Sequence, residues 1–159
     1  MADIVSELDS IFQSICPNAE NFWRGPDFCH ISKRHLHAAL HWFEYVANED
    51  RRNLSNPEKR KMLGNLSQDQ YNRLSTNDVG EIPETDIKNA IERVSVLIAI
   101  FKTSYALVGR EHVYSIFSAP NSNPKFNGKS FKENLLSSDS TQPFYVIWKY
   151  LYDSFFYNS

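Results

Sequence analysis

An all-α fold is what this sequence predicts, on three observations. Only five glycines occur in 159 residues, too few for a chain built from tight hairpin turns. The apolar residues recur at spacings of three and four rather than two. Serine is followed three residues later by Glu or Gln at Ser55, Ser67 and Ser130, each time at the mouth of a short segment that reads as a helix.

Taken in chain order, Ile4, Leu8, Ile11, Phe12 and Ile15 suggest an opening helix, followed by an irregular connection from Pro17 to Pro26. His35 to Asn48 places Leu36, Ala39, Leu40, Phe43 and Ala47 on one helical stripe. At Ser55-Asn56-Pro57-Glu58 the serine hydroxyl can accept from an orphan N–H while Glu58 reaches back, which predicts a short helix to Leu63, stopped by Gly64. Ser67-Gln68-Asp69-Gln70 repeats the device ahead of Tyr71, Asn72, Arg73 and Leu74. Short helices separated by a glycine turn have the rhythm of a helix-turn-helix. The clearest element runs from Asp86 to Val108, with Ile87, Ala90, Ile91, Val94, Leu97, Ile98, Phe101, Tyr105 and Val108 on its apolar stripe, Arg93 and Lys102 on its wet face, and Gly109 as its stop. Glu111 to Phe117 reads as one or two turns, Ser130 to Glu133 caps a helix through Leu136, Ser137 to Pro143 is turn-forming, and Phe144, Ile147, Trp148, Leu151 and Phe155 define a last amphipathic helix. The domain organisation expected is an extension over 1–34, a helix-turn-helix-like region over 35–84, and a helical binding region over 85–159 that the long helix joins to it.

Composition narrows the function classes. A hydrophobic content of 42% suits one compact core, and a net charge of −2 gives no field that would by itself hold the chain on nucleic acid or an anionic membrane. The first residues are acidic where a signal peptide is basic, and no apolar run has the length of a membrane span, so a cytoplasmic protein with Cys16 and Cys29 reduced is expected. No Gly-rich phosphate loop, G-x-S-x-G elbow or Cys-His signature appears, and the expectation is a non-enzyme without a cofactor. His37 and His41, one turn apart and near Cys29, His30 and His35, could be drawn as a zinc site; with neither a CxxC pair nor an HExxH motif, no metal is expected.

Aromatic residues make up 14% of the chain, a proportion that suits both a core and an interface. Ala119 to Leu136 reads APNSNPKFNGKSFKENLL, rich in turn formers, and its loop from Pro120 to Ser130 suggests a rigid presenting surface, with Phe126 as its buried anchor and Lys125, Asn127 and Lys129 projecting. On the last helix Tyr150, Tyr152, Phe156 and Tyr157 lie off the main stripe, an apolar surplus that suits a partner-covered helix. In the helix-turn-helix-like part, Gln68, Gln70, Asn72 and Arg73 are candidates for base edges, Arg51, Arg52, Lys59, Arg60 and Lys61 for phosphates, and Tyr71 for a further DNA contact, with Asp69 opposing them.

From Leu36 onward the order of features resembles the Xre/MbcA/ParS antitoxin family. Arg93 to Lys102 is similar to that family's long helix, Pro120-Asn121 through Phe126-Asn127-Gly128-Lys129-Ser130 to its loop, Val146 to Leu151 to its closing helix, and Met62-Leu63-Gly64 with Tyr71-Asn72-Arg73-Leu74 to its helix-turn-helix part. The chain departs from the pattern at Phe131, where the family has a small residue or Pro, over Ser137 to Gln142, which has no Gly, and in the extension to Arg34. The resemblance implies an antitoxin of a type II toxin–antitoxin system that covers the active-site entrance of a RES-domain, NAD-degrading toxin, forms a homodimer or a hetero-oligomer with it, and acts on its own operator DNA. The toxin-binding residues it implies are Pro120, Asn121, Lys125, Phe126, Asn127, Gly128, Lys129, Ser130, Trp148, Tyr152, Phe156 and Tyr157. Two other readings stand beside it: a DNA-binding regulator that dimerises through its C-terminal half, and an orphan or phage-borne homologue with a different protein partner.

Overall fold

The computed structural model describes residues 31, 33–48, 54–109 and 111–157. Among them the fold is all-α. The helices are α1 (Leu36–Asn48), entered through a 3-10 turn at Lys33–His35, α2 (Asn56–Met62), α3 (Gln68–Ser75), α4 (Glu84–Val108), α5 (Val113–Ser118), α6 (Phe131–Leu136) and α7 (Gln142–Tyr157), with a second 3-10 turn at Pro124–Phe126. The expected helix within residues 4–15, the connection after it, Cys16, Cys29, Arg51 and Arg52 lie outside the described residues.

All three serine boxes form. The hydroxyls of Ser55, Ser67 and Ser130 accept from the backbone N–H of Glu58, Gln70 and Glu133, whose side chains accept in return from the serine N–H groups at 3.0, 3.0 and 3.2 Å. Each hydroxyl satisfies an N–H that the first helical turn leaves bare, worth about 1 kcal/mol. Between α2 and α3 the chain reverses through Gly64 at φ 106° and Asn65 at φ 59°. A Cβ on Gly64 would come within 2.6 Å of Asn89 Nδ2, so this position requires glycine both for its backbone and for the space.

α4 is the hub. It starts at Glu84, two residues earlier than the periodicity suggests, because Pro83 ends the preceding turn with the backbone its ring dictates, and Glu84 and Asp86 then meet the positive end of the helix. Its most extensive packing is along α7, where Phe144, Ile147 and Leu151 are fully buried. α1 adds Trp42 and Phe43, with the Trp42 ring edge-on to Phe101 at 5.6 Å and Phe101 tilted against Phe117 of α5 at 5.2 Å.

Two expectations for α4 are overturned. Every residue from Arg93 to Phe101 is buried, so its middle is enclosed on all sides rather than striped, as a helix covered by several neighbours must be. Arg93 is 3% exposed rather than wet. At the other end Tyr105, expected on the buried stripe, is 39% exposed, while Leu107 in the same turn packs against the core. Arg93 is tolerated in the interior because every face of it finds a partner. Its Nε donates to Asn89 Oδ1 at 3.0 Å, an NH2 group donates to the carbonyl of Asp139, and the guanidinium lies over the Phe144 ring at 5.3 Å. Burial pulls its pKa below the ordinary arginine value, with Glu92 and Asp139 opposing that shift. Together with Asn65 Nδ2 donating to Asp139 Oδ1 at 2.9 Å, it ties the α2–α3 turn and the α6–α7 connection to the hub.

Among the described residues no helix is long and apolar enough to cross a membrane.

Candidate functional site

The loop between α5 and α6 is built as a closed frame. Asn121 N–H donates to the Lys129 carbonyl at 3.1 Å and Lys129 N–H to that of Phe126 at 2.9 Å, so the two ends of the loop are joined through its own backbone. Inside it the Asn121 side chain accepts from Asn123 N–H at 2.8 Å and the Asn123 side chain from Lys125 N–H at 3.0 Å, two consecutive asparagine turns that set up the 3-10 turn entered at Pro124. Asn127 at φ 52° and Gly128 at φ 75° then reverse the chain through the left-handed region, which asparagine tolerates and glycine adopts freely. From below, Asn134 of α6 donates to the carbonyls of Ser130 at 2.8 Å and Phe126 at 3.3 Å.

One side chain pins this frame to the core. Phe126 is 0% exposed, edge-on to Phe131 of α6 at 5.1 Å and to Tyr150 of α7 at 5.1 Å. The candidate contacts drawn from the sequence therefore divide in two. Phe126 and Ser130 are buried and hold the surface up, the second as the cap of α6, and Asn121 is half-buried as the closing clasp. Pro120, Lys125, Asn127, Gly128 and Lys129 are exposed and form the surface itself.

Trp148 and Tyr152 stand apart from it. At about 100° per helical residue, each lies roughly 160° around α7 from Tyr150, which is the residue that meets Phe126. The two rings stack on each other at 5.7 Å, both partly buried, on the other side of the stripe that faces α4. Adjacent in sequence to the loop's support, they belong to a different face, because side chains two apart on a helix point away from each other. Phe156 and Tyr157 fall in the last turn of α7.

The DNA candidates are placed very differently from one another. Lys59 is 4% exposed with its ammonium 2.8 Å from Glu44 Oε1, and the Tyr71 hydroxyl donates to the other oxygen of the same carboxylate. Burial, and then the hydrogen bond to Glu44, push the Tyr71 phenol well above the usual tyrosine range, so it stays a neutral donor. These two tie α2 and α3 to α1 and are unavailable to a phosphate or a base. Gln70 completes its cap and donates to Asp86 at 3.0 Å, and Gln68 donates to Asn72 at 3.0 Å. Arg73 is surrounded by Asp69 at 2.9 Å, Asp78 at 3.5 Å and Glu81 at 3.7 Å, with the hydrogen bond to Asp69 the main cause of its raised pKa. The outward surface of α3 thus carries its cation inside a ring of carboxylates.

His37 and His41 meet edge-on, ring centroids 4.6 Å apart, and among the described residues no group of three His, Cys, Asp or Glu could enclose a metal ion. Of the residues that matter here, sequence reasoning passed over Asn123, Asn134, Tyr150 as a support, and Arg93. Asn123 before Pro124 carried a usable signal, an asparagine turn ahead of a fixed φ. Arg93 carried none, since its burial depends on which helices surround α4.

No family model matches this sequence, and comparison with curated proteins and with solved structures finds no match.

Proposed function

We propose that this chain is a protein-binding module acting by occlusion, whose 119–130 loop is laid against the mouth of a partner enzyme. The sequence resemblance makes a RES-domain, NAD-degrading toxin the partner class and this chain its antitoxin, with a cytoplasmic location and a hetero-oligomeric complex as parts of the same reading. The observation that supports it is the division of labour in the loop: Phe126 is fully buried while Lys125, Asn127, Gly128 and Lys129 stand clear on a backbone closed by its own hydrogen bonds. A surface already held in one conformation loses little entropy on association, which is where a small interface gains affinity.

Operator binding draws no comparable support. A polyanion approaching α3 meets Asp69, Asp78 and Glu81 around Arg73, and Lys59 is committed to Glu44. The test of the main reading is co-production in bacteria with the RES-domain protein of an adjacent gene. Co-elution and rescued growth are expected, and an antitoxin role is sunk by a folded chain that does neither.

A further inference from the structure

The loop's charge specifies the chemistry of what it meets, an inference that rests on the occlusion reading for the partner's identity but not for its own test. Residues 119–130 contain two lysines and no carboxylate. Both ammonium groups are exposed, and among the described residues neither has an ion-pair partner. The nearest carboxylate in sequence, Glu133, is engaged with Ser130 N–H at 3.2 Å.

Several cations elsewhere are treated otherwise. Lys33, Lys59, Arg73, Lys132 and Lys149 each sit within 4.0 Å of a carboxylate, at 2.7, 2.8, 2.9, 3.8 and 3.0 Å. Arg60 and Lys61, neighbours on α2, are half-buried, with Arg60 donating to the Leu66 carbonyl at 3.4 Å, and Lys88 lies one turn from Glu84 on α4. In a chain of net charge −2, the pinned loop thus carries two exposed cations with no carboxylate beside them.

We infer that Lys125 and Lys129 form a preorganised cationic edge that docks on an acidic protein surface, a rim of Asp or Glu side chains around the partner's mouth. A nucleic acid fits less well: two cations release few counterions, and the net negative charge of the chain opposes a polyanion. Two carboxylates on a protein match two lysines without that penalty, and the charge would act mainly by steering encounter.

The test uses the isotope-labelled full chain titrated with a polyglutamate peptide and, separately, with a short DNA duplex, followed by amide NMR shifts. The peptide is expected to move amides of residues 120–130 first, with the response weakening as salt is raised. In the double variant Lys125→Glu, Lys129→Glu the response disappears while the melting curve is unchanged, and Lys125→Gln, Lys129→Gln falls between. A response centred elsewhere, none at all, or one obtained at lower concentration with the duplex overturns the inference. Stopped-flow mixing with the RES-domain protein then separates the two ideas. Association slowed about tenfold or more by charge reversal supports the acidic rim. A complex that forms at an unchanged rate removes the rim and keeps occlusion, whereas absence of any complex from a chain that binds the peptide removes occlusion and keeps the cationic edge.

Discussion

The α2–α3 region and the 119–130 loop are both short, polar in sequence and flanked by a serine cap, and they handle charge in opposite ways. In the first, Lys59 is drawn inside to share Glu44 with Tyr71, and Arg73 is ringed by three carboxylates, so these two cations are matched within the molecule. In the second, an aromatic ring is drawn inside and the cations are left out. The difference lies in what anchors each segment. An anchor that is itself charged must bring its counterion with it. An apolar anchor such as Phe126 frees the polar residues beside it for an external partner.

Several substitutions break or sharpen this contrast. The largest effect is expected at Phe126→Ala, which removes a fully buried ring from between Phe131 and Tyr150 and should cost about 3–5 kcal/mol in urea unfolding, with partner binding lost alongside. A loss below about 1 kcal/mol would show that the loop is held by its backbone bonds alone.

Gly64→Ala comes next. It forces a side chain onto φ 106° and toward Asn89, which Arg93 holds in place, and should destabilise by roughly 1–3 kcal/mol without altering binding through the loop. Calorimetry of the variant together with the peptide titration checks both halves of that statement.

Glu44→Gln keeps shape and removes the charge shared by Lys59 and Tyr71. A loss of about 1–2 kcal/mol is expected, tempered by the exposure of Glu44 itself, and an increase in stability would refute the view that this carboxylate is the anchor of α2 and α3.

The smallest effect should be that of Arg73→Ala, whose guanidinium is on the surface and matched by carboxylates. Neither the melting temperature nor duplex DNA retention in a gel shift is expected to change, and weakened retention would return α3 to the list of nucleic-acid contacts.

Acid provides a further way to separate the two regions. The hydrogen bond from Ser55 N–H, its main cause, holds the Glu58 carboxyl below the usual glutamate value. Its contribution to α2 is therefore complete above the unfolded-state pKa and is lost as pH falls through the lower, folded-state one. Amide exchange in residues 55–62 should rise over that acidic interval, and not in Glu58→Gln, whose side chain has no charge to lose there.

Much of the fold was legible in the residues one at a time. Three serine boxes marked three helix starts to the residue, Gly64 and Gly109 marked stops, and the stripe Leu36, Ala39, Leu40, Phe43, Ala47 is buried throughout, because capping and periodicity are settled within a few residues of chain. The role of Phe126 as an anchor with lysines projecting was legible for the same local reason: a lone large apolar side chain among turn formers has one place to go.

What the chain could not settle by itself concerns neighbours far along the sequence. Whether Arg93 was wet depended on α7 and the α6–α7 connection closing over α4, 46 residues away at Asp139. Whether Lys59 and Tyr71 faced solvent depended on Glu44 from a different helix, and whether Trp148 joined the loop depended on which side of α7 the loop reached. Helix starts, stops and apolar stripes follow from short-range sterics and hydrogen bonding, which any stretch of residues carries with it. The burial of a charge, or the sharing of a face by two rings, is decided only when distant helices pack and either supply a partner or leave the group to water.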